Sequence, residues 1–146
     1  MSEVTKLTIK LKSKATKQQK AQIAKGVIEF IAKRSKLGYA PNGKDWKGKA
    51  GKYTEAYAKK KGTSKDGPVD LALSHDMLDA MRHFTSQDKS DEITIGFKKG
   101  TKVERKAEGN ILGTYGQPTP IRGKARPFLK IEKKDLDKIQ RRYLKE

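Results

Sequence analysis

Leu7, Ile9 and Leu11 alternate with Thr8, Lys10 and Lys12, the two-residue period of a strand with one face buried. Thr16 follows as a helix cap. Beyond it Ile23, Val27, Ile28 and Ile31 recur at helical spacing, and Gly38 supplies a stop. Residues 39–52 read as a loop punctuated by Pro41-Asn42-Gly43 and further glycines. A short helix is predicted over 53–61, with Tyr53 and Tyr57 on one face, and 62–68 breaks it. Ser74 is placed to cap a helix carrying Met77, Leu78 and Met81. Ile93, Ile95 and Phe97 alternate again as a second strand, and 103–107 is read as a third. Leu136, Ile139, Tyr143 and Leu144 mark the apolar stripe of a closing helix. This order predicts an α+β fold, a small antiparallel or mixed sheet packed against helices, and not a doubly wound sheet. Leu7, Ile9, Leu11, Ile93, Ile95, Phe97 and Phe128 are the expected core face.

Composition changes the picture in one respect. Hydrophobic residues are 34% of the chain and charged residues 36%, so a chain of 146 residues has a small core for its length. The simplest organisation is a single α+β domain over 1–146, with a basic loop at about 39–52 and an extended basic arm at about 98–126. Lysine and arginine number 35 against 17 acids, a net charge of +18. Self-repulsion on that scale calls for a polyanion or an acidic protein surface as partner. The basic residues are spread along the chain and not gathered on one amphipathic helix, so a membrane surface is not expected. No segment has the apolar length to span a bilayer, and the N-terminus has no hydrophobic signal core. Synthesis in the cytoplasm is the expectation.

The chemistry-bearing residues are few. Cysteine is absent, which excludes disulfides, thiolate zinc sites and thiol nucleophiles. Gly43-Lys44-Asp45-Trp46-Lys47-Gly48-Lys49-Ala50 falls one residue short of a phosphate-binding loop. Ala50 stands where a Ser or Thr must hold magnesium, and the preceding residues are not an apolar strand. His75, Asp79 and His83 would share a face if one helix carried all three. Successive turns then stand about 6 Å apart, too far for one tetrahedral ion. No serine–histidine–acid set stands out. An enzyme is not expected, and neither is a cofactor or metal.

The basic loops are more telling. Lys98, Lys99, Lys102, Arg105, Lys106, Arg122 and Lys124 face only Glu104 and Glu108 over the same stretch. Such loops suit phosphate contacts that position without reading sequence, and the excess of lysine over arginine argues against base-specific readout. These residues are the candidate contacts to DNA or to an acidic partner. Ile111, Leu112 and Tyr115 interrupt them as the apolar contacts of the arm. The Gly- and Pro-rich segment Gly113-Thr114-Tyr115-Gly116-Gln117-Pro118-Thr119-Pro120 leads on to Ala125-Arg126-Pro127-Phe128-Leu129. There Arg126, Pro127, Phe128 and Leu129 are expected to anchor the arm's far end.

The order of these motifs resembles the phage virion-morphogenesis, neck and tail-completion proteins. In that family a Gly…Trp loop precedes a helix bearing Tyr and Lys, matched here by Gly43, Trp46, Tyr53, Tyr57, Lys59, Lys60 and Lys61. A Leu-x-x-Ser/Thr-Gly-x-Leu segment follows, with its counterpart at Leu71, Ser74 and Met77, and His75 where the family has glycine. The strand Ile93-Thr94-Ile95-Gly96, the Gly113-Thr114 loop and the Ala125 to Leu129 segment complete the order. The resemblance implies an α+β structural protein forming a homo-oligomeric ring at the head–tail junction of a tailed phage. Its partners would be head-closure, portal-side and tail proteins, with double-stranded DNA passing non-specifically through the lumen. The implied location is the virion. The alternative, from the basic loops alone, is a sequence-independent nucleic-acid-binding protein.

Overall fold

The computed structural model describes residues 4–36, 40, 41, 43, 75–112 and 126–144. Strand β1 (Lys6–Lys10) leads into helix α1 (Lys17–Lys36). Then come a single helical turn α2 (His75–Asp79), the short strand β2 (Arg82–His83), strand β3 (Glu92–Gly96), helix α3 (Lys102–Leu112) and helix α4 (Lys133–Tyr143). The strands form an antiparallel sheet in the order β1-β3-β2. The α+β expectation is met.

The register follows from the alternation. Leu7 lies opposite Ile95, and Ile9 opposite Ile93, so one face of the central pair is wholly aliphatic. The other face pairs Thr8 with Thr94 and Lys10 with Glu92. Backbone pairing extends past both strand ends: Leu11 N–H donates to Asp91 O and Phe97 N–H to Thr5 O. Glycine is required at Gly96, where φ is +150° and a Cβ would collide with the Thr5 carbonyl.

Helix α1 begins in a reciprocal cap. Gln19 N–H donates to Thr16 Oγ1, and Thr16 N–H donates to Gln19 Oε1. Its buried row, Ile23, Ala24, Val27 and Ile31, lies at helical spacing and is fully out of solvent. Each large aliphatic side chain in that row contributes about 1.5–3 kcal/mol of transfer free energy. Lys33, Arg34 and Lys36 end the helix, where cations suit the C-terminal dipole. Helix α4 packs antiparallel on α1. Gln19 Nε2 donates to Tyr143 O, and Gly26 faces Ile139 so closely that a Cβ would come within 3.0 Å of its methyl.

Three readings are corrected. Residues 103–107 are not a strand but the first turns of α3. Thr101 Oγ1 accepts from Glu104 N–H, Arg105 N–H donates to Thr101 O, and Glu104 Oε1 accepts from Gly100 N–H, so the helix starts in a full polar cap. For the same reason 98–126 is not extended throughout, because Lys102–Leu112 is helical. His83, finally, does not share a helix with His75 and Asp79. Helix α2 stops at Asp79, β2 pairs with β3, and Phe84 N–H donates to Thr94 O, so the sheet captures this stretch. The loop at 39–52 lies outside the described residues except Ala40, Pro41 and Gly43. There Gly43 N–H closes a turn onto Ala40 O, with Gly43 at φ +82°. The helix expected at 53–61 also lies outside the described residues.

Candidate partner interface

Phe128 is the centre from which the candidate surfaces are held. It is fully buried and meets the Phe97 ring edge-on, with centroids 6.1 Å apart and planes at 76°. Leu129 and Arg126 are buried beside it, and Pro127 is half-buried. The four residues expected as an anchor therefore sit in or against the core. Two links, one between backbone groups and one from a side chain, bring distant parts of the chain to the same place. Arg126 N–H donates to Asn110 O at 2.6 Å, so residues 110 and 126 meet across everything between them. Arg34, from the end of α1, donates through Nη2 to Phe128 O at 2.6 Å and Lys130 O at 2.9 Å.

Arg34 was not singled out in the sequence, although it continues the spacing Val27, Ile31, Arg34 on the buried stripe. Burial pushes its pKa down to about 10, against the opposing pull of Asp135 and Glu132. Among the described residues its Nε and Nη1 have no hydrogen-bond partner, and its guanidinium lies 5.7 Å from the Phe30 ring centroid. A buried cation bonded to two carbonyls fixes the chain path after Phe128 at a desolvation cost.

The basic candidates divide. Lys98 and Lys99 are exposed in the turn after β3, and Lys102, Arg105 and Lys106 are exposed on α3. The spacing of the last three, i, i+3 and i+4, puts them on one helical face. Glu104, between them in sequence, is turned elsewhere: its carboxylate accepts from Thr5 Oγ1 as well as from Gly100 N–H. Ile111 packs half-buried against the core, while Leu112 is exposed. Tyr115, Arg122 and Lys124 lie outside the described residues.

His83 Nε2 is hydrogen-bonded to Asp88 Oδ2 at 2.5 Å, and Asp88 Oδ1 accepts from Thr94 N–H at 3.0 Å. Both side chains are thus committed to closing the turn between β2 and β3. Among the described residues no group of three or more metal-ligating side chains comes together, and no helix is long and apolar enough to cross a membrane.

Compared with known proteins, no family model, no curated protein and no solved structure matches the chain.

Proposed function

We propose that the protein is a structural subunit of a tailed-phage virion, assembling with copies of itself into a neck or tail-completion ring at the head–tail junction around the DNA channel. The observation that carries this reading is the clamp at residues 110 and 126 beside a buried Phe128. Asn110, near the end of α3, is held to Arg126, which leads into the buried Phe128 and Leu129, part of the segment on which the family resemblance most depends. A segment whose two ends are fixed on a core can contact a neighbour without loosening the fold that carries it. The non-enzymatic reading goes with it: the polar groups buried at Arg34 and Asp88 serve chain path and turn closure.

The test is where the protein sits in the particle. Gold-labelled antibody against it should mark the junction between head and tail in purified virions. Particles made without it should accumulate as separate heads and tails. Labelling of free protein only, with normal particles in its absence, would overturn the proposal. It would favour the alternative of a free nucleic-acid-binding protein, for which the net charge of +18 is the supporting observation.

A further inference from the structure

Helix α4 has a second face that the core does not use. Its apolar side is Leu136, Ile139 and Tyr143, with Gln140 buried among them, its Oε1 accepting from Lys12 N–H at 2.8 Å. Lys134, Lys138, Arg141 and Arg142 are exposed at i, i+4, i+7 and i+8. They therefore form one row about 12 Å long on the opposite side. The nearby acids do not neutralise it evenly. Asp137 is paired with Lys12 at 3.6 Å, the field of Asp135 and Glu132 falls on Arg34, and Glu132 reaches Lys134 only at 3.9 Å. Lys138, Arg141 and Arg142 have no ion pair with any described residue. Helix α1 extends the patch, since Lys25 and Lys33 are exposed beside and two turns along from Gly26, where α1 touches α4. Glu29 is the exposed acid between them.

We infer that the outer surface of the α1–α4 pair, centred on Lys134, Lys138, Arg141 and Arg142, is the face that meets the phosphate backbone of duplex DNA. Charge complementarity is the argument. Duplex DNA carries one negative charge per about 1.7 Å of axis, so a rigid row of this length lies against several phosphates at once. Helix α4 holds the row in place through Ile139 against Gly26 and Gln140 against Lys12, whereas a cluster of lysines on loops would have to be ordered on binding. No aromatic residue stands in the row Lys134, Lys138, Arg141 and Arg142, so the contact is to backbone and independent of sequence. This assignment rests on the ring reading only for why DNA is at hand; the binding itself belongs to the isolated chain.

The experiment is a fluorescence-anisotropy titration of the full chain against a labelled mixed-sequence duplex between 50 and 200 mM salt. Wild type should bind with a steep inverse salt dependence. Lys134→Gln, Lys138→Gln, Arg141→Gln and Arg142→Gln together should lower the log–log salt slope by about 3–4, since each lost phosphate contact removes about 0.9. Lys134→Gln with Lys138→Gln should lower it by about 2, which keeps the test readable if the fourfold variant folds poorly. Lys134→Arg with Lys138→Arg should retain the slope. Lys10→Gln, on the far face of the sheet, should change it by well under the about 0.9 of a single phosphate contact. Absence of duplex binding by wild type, an unchanged slope in both glutamine variants, or an equal loss per charge from Lys10→Gln would each overturn the inference. None of these outcomes touches the placement of the protein at the junction, which antibody labelling tests separately.

Discussion

Helices α1 and α3 both begin at a threonine whose hydroxyl accepts from the backbone N–H three residues on, yet the protein holds them in opposite ways. Helix α1 is fixed by area: Ile23, Ala24, Val27 and Ile31 are fully buried over more than two turns. Helix α3 buries only Ala107 and Gly109, with Val103 and Ile111 half-covered. It is tied instead by Thr5 to Glu104 and by Asn110 to Arg126. Burial is non-directional and survives small shifts, whereas a few polar ties localise stability to particular atoms. The difference separates a scaffold from an element that can be altered without dissolving the core. That suits α3 to presenting Lys102, Arg105 and Lys106 to a partner.

Both helices are tied to the segment that carries Phe128, α1 through Arg34 to Phe128 O and α3 through Asn110 O to Arg126, so breaking the Phe97–Phe128 contact should have the largest effect. Phe128→Ala is expected to cost about 3–5 kcal/mol, a large part of a small domain's stability, read as a fall in Tm and in denaturant midpoint. An unchanged midpoint would mean that the return of the chain is not anchored in the core, and the clamp at 110 and 126 would lose its significance.

Within α1 alone, Ile31→Ala should cost about 2–5 kcal/mol, because the side chain is fully enclosed and its loss leaves a cavity. The comparison sharpens if Val103→Ala, at the half-covered start of α3, costs clearly less in the same denaturation series. Equal losses would show that α3 is as much a part of the core as α1.

The contrast also explains what could be read from the chain. Strands β1 and β3 and helices α1 and α4 were legible because each has an apolar row whose period admits one interpretation. Val103, Arg105 and Ala107 fit the two-residue period only loosely, while Val103, Ala107 and Ile111 fit a helix, and so sparse an apolar set does not decide between them. The deciding signal was polar: Thr101 followed three residues later by Glu104 is the start of a capped helix. His83 shares a face with His75 and Asp79 only if the helix expected from Met77, Leu78 and Met81 runs on to it. Pairing of Arg82 and His83 with β3 overrides that continuation, and such pairing depends on residues distant in sequence. At the candidate site, Phe128 was legible as an anchor from its place after the glycines and prolines. Arg34 was hidden by its charge, although it sits on the same stripe as Ile31. The basic row of α4 is the complement of the apolar stripe that defines that helix, so it was available from the same periodicity.

Removing one polar tie should show how α3 is held. Glu104→Ala leaves Thr5 Oγ1, in a buried residue, without its acceptor and uncaps Gly100 N–H. A cost of about 1–3 kcal/mol is expected in denaturation, together with faster amide exchange through α3 and little change in α1. Exchange that rises equally in both helices would mean that they open as one unit, and the distinction between scaffold and presented element would fail.

The smallest expected effect on stability concerns the surface that α3 presents. Lys98→Gln, Lys99→Gln and Lys102→Gln together remove exposed cations, one of them in the first helical turn, where positive charge opposes the dipole. Folding stability should stay within about 0.5 kcal/mol of wild type. Duplex binding separates this face from that of α4. If α4 meets the phosphates, the triple variant should lower the salt slope by less than about 1, while the fourfold α4 variant lowers it by several times as much. On the proposed virion role, the triple variant should then show its effect in assembly, as reduced incorporation into particles. A larger loss of slope from the α3 lysines than from the α4 row would exchange the roles of the two faces, placing DNA on the polar-tied helix and the protein partner on the packed one.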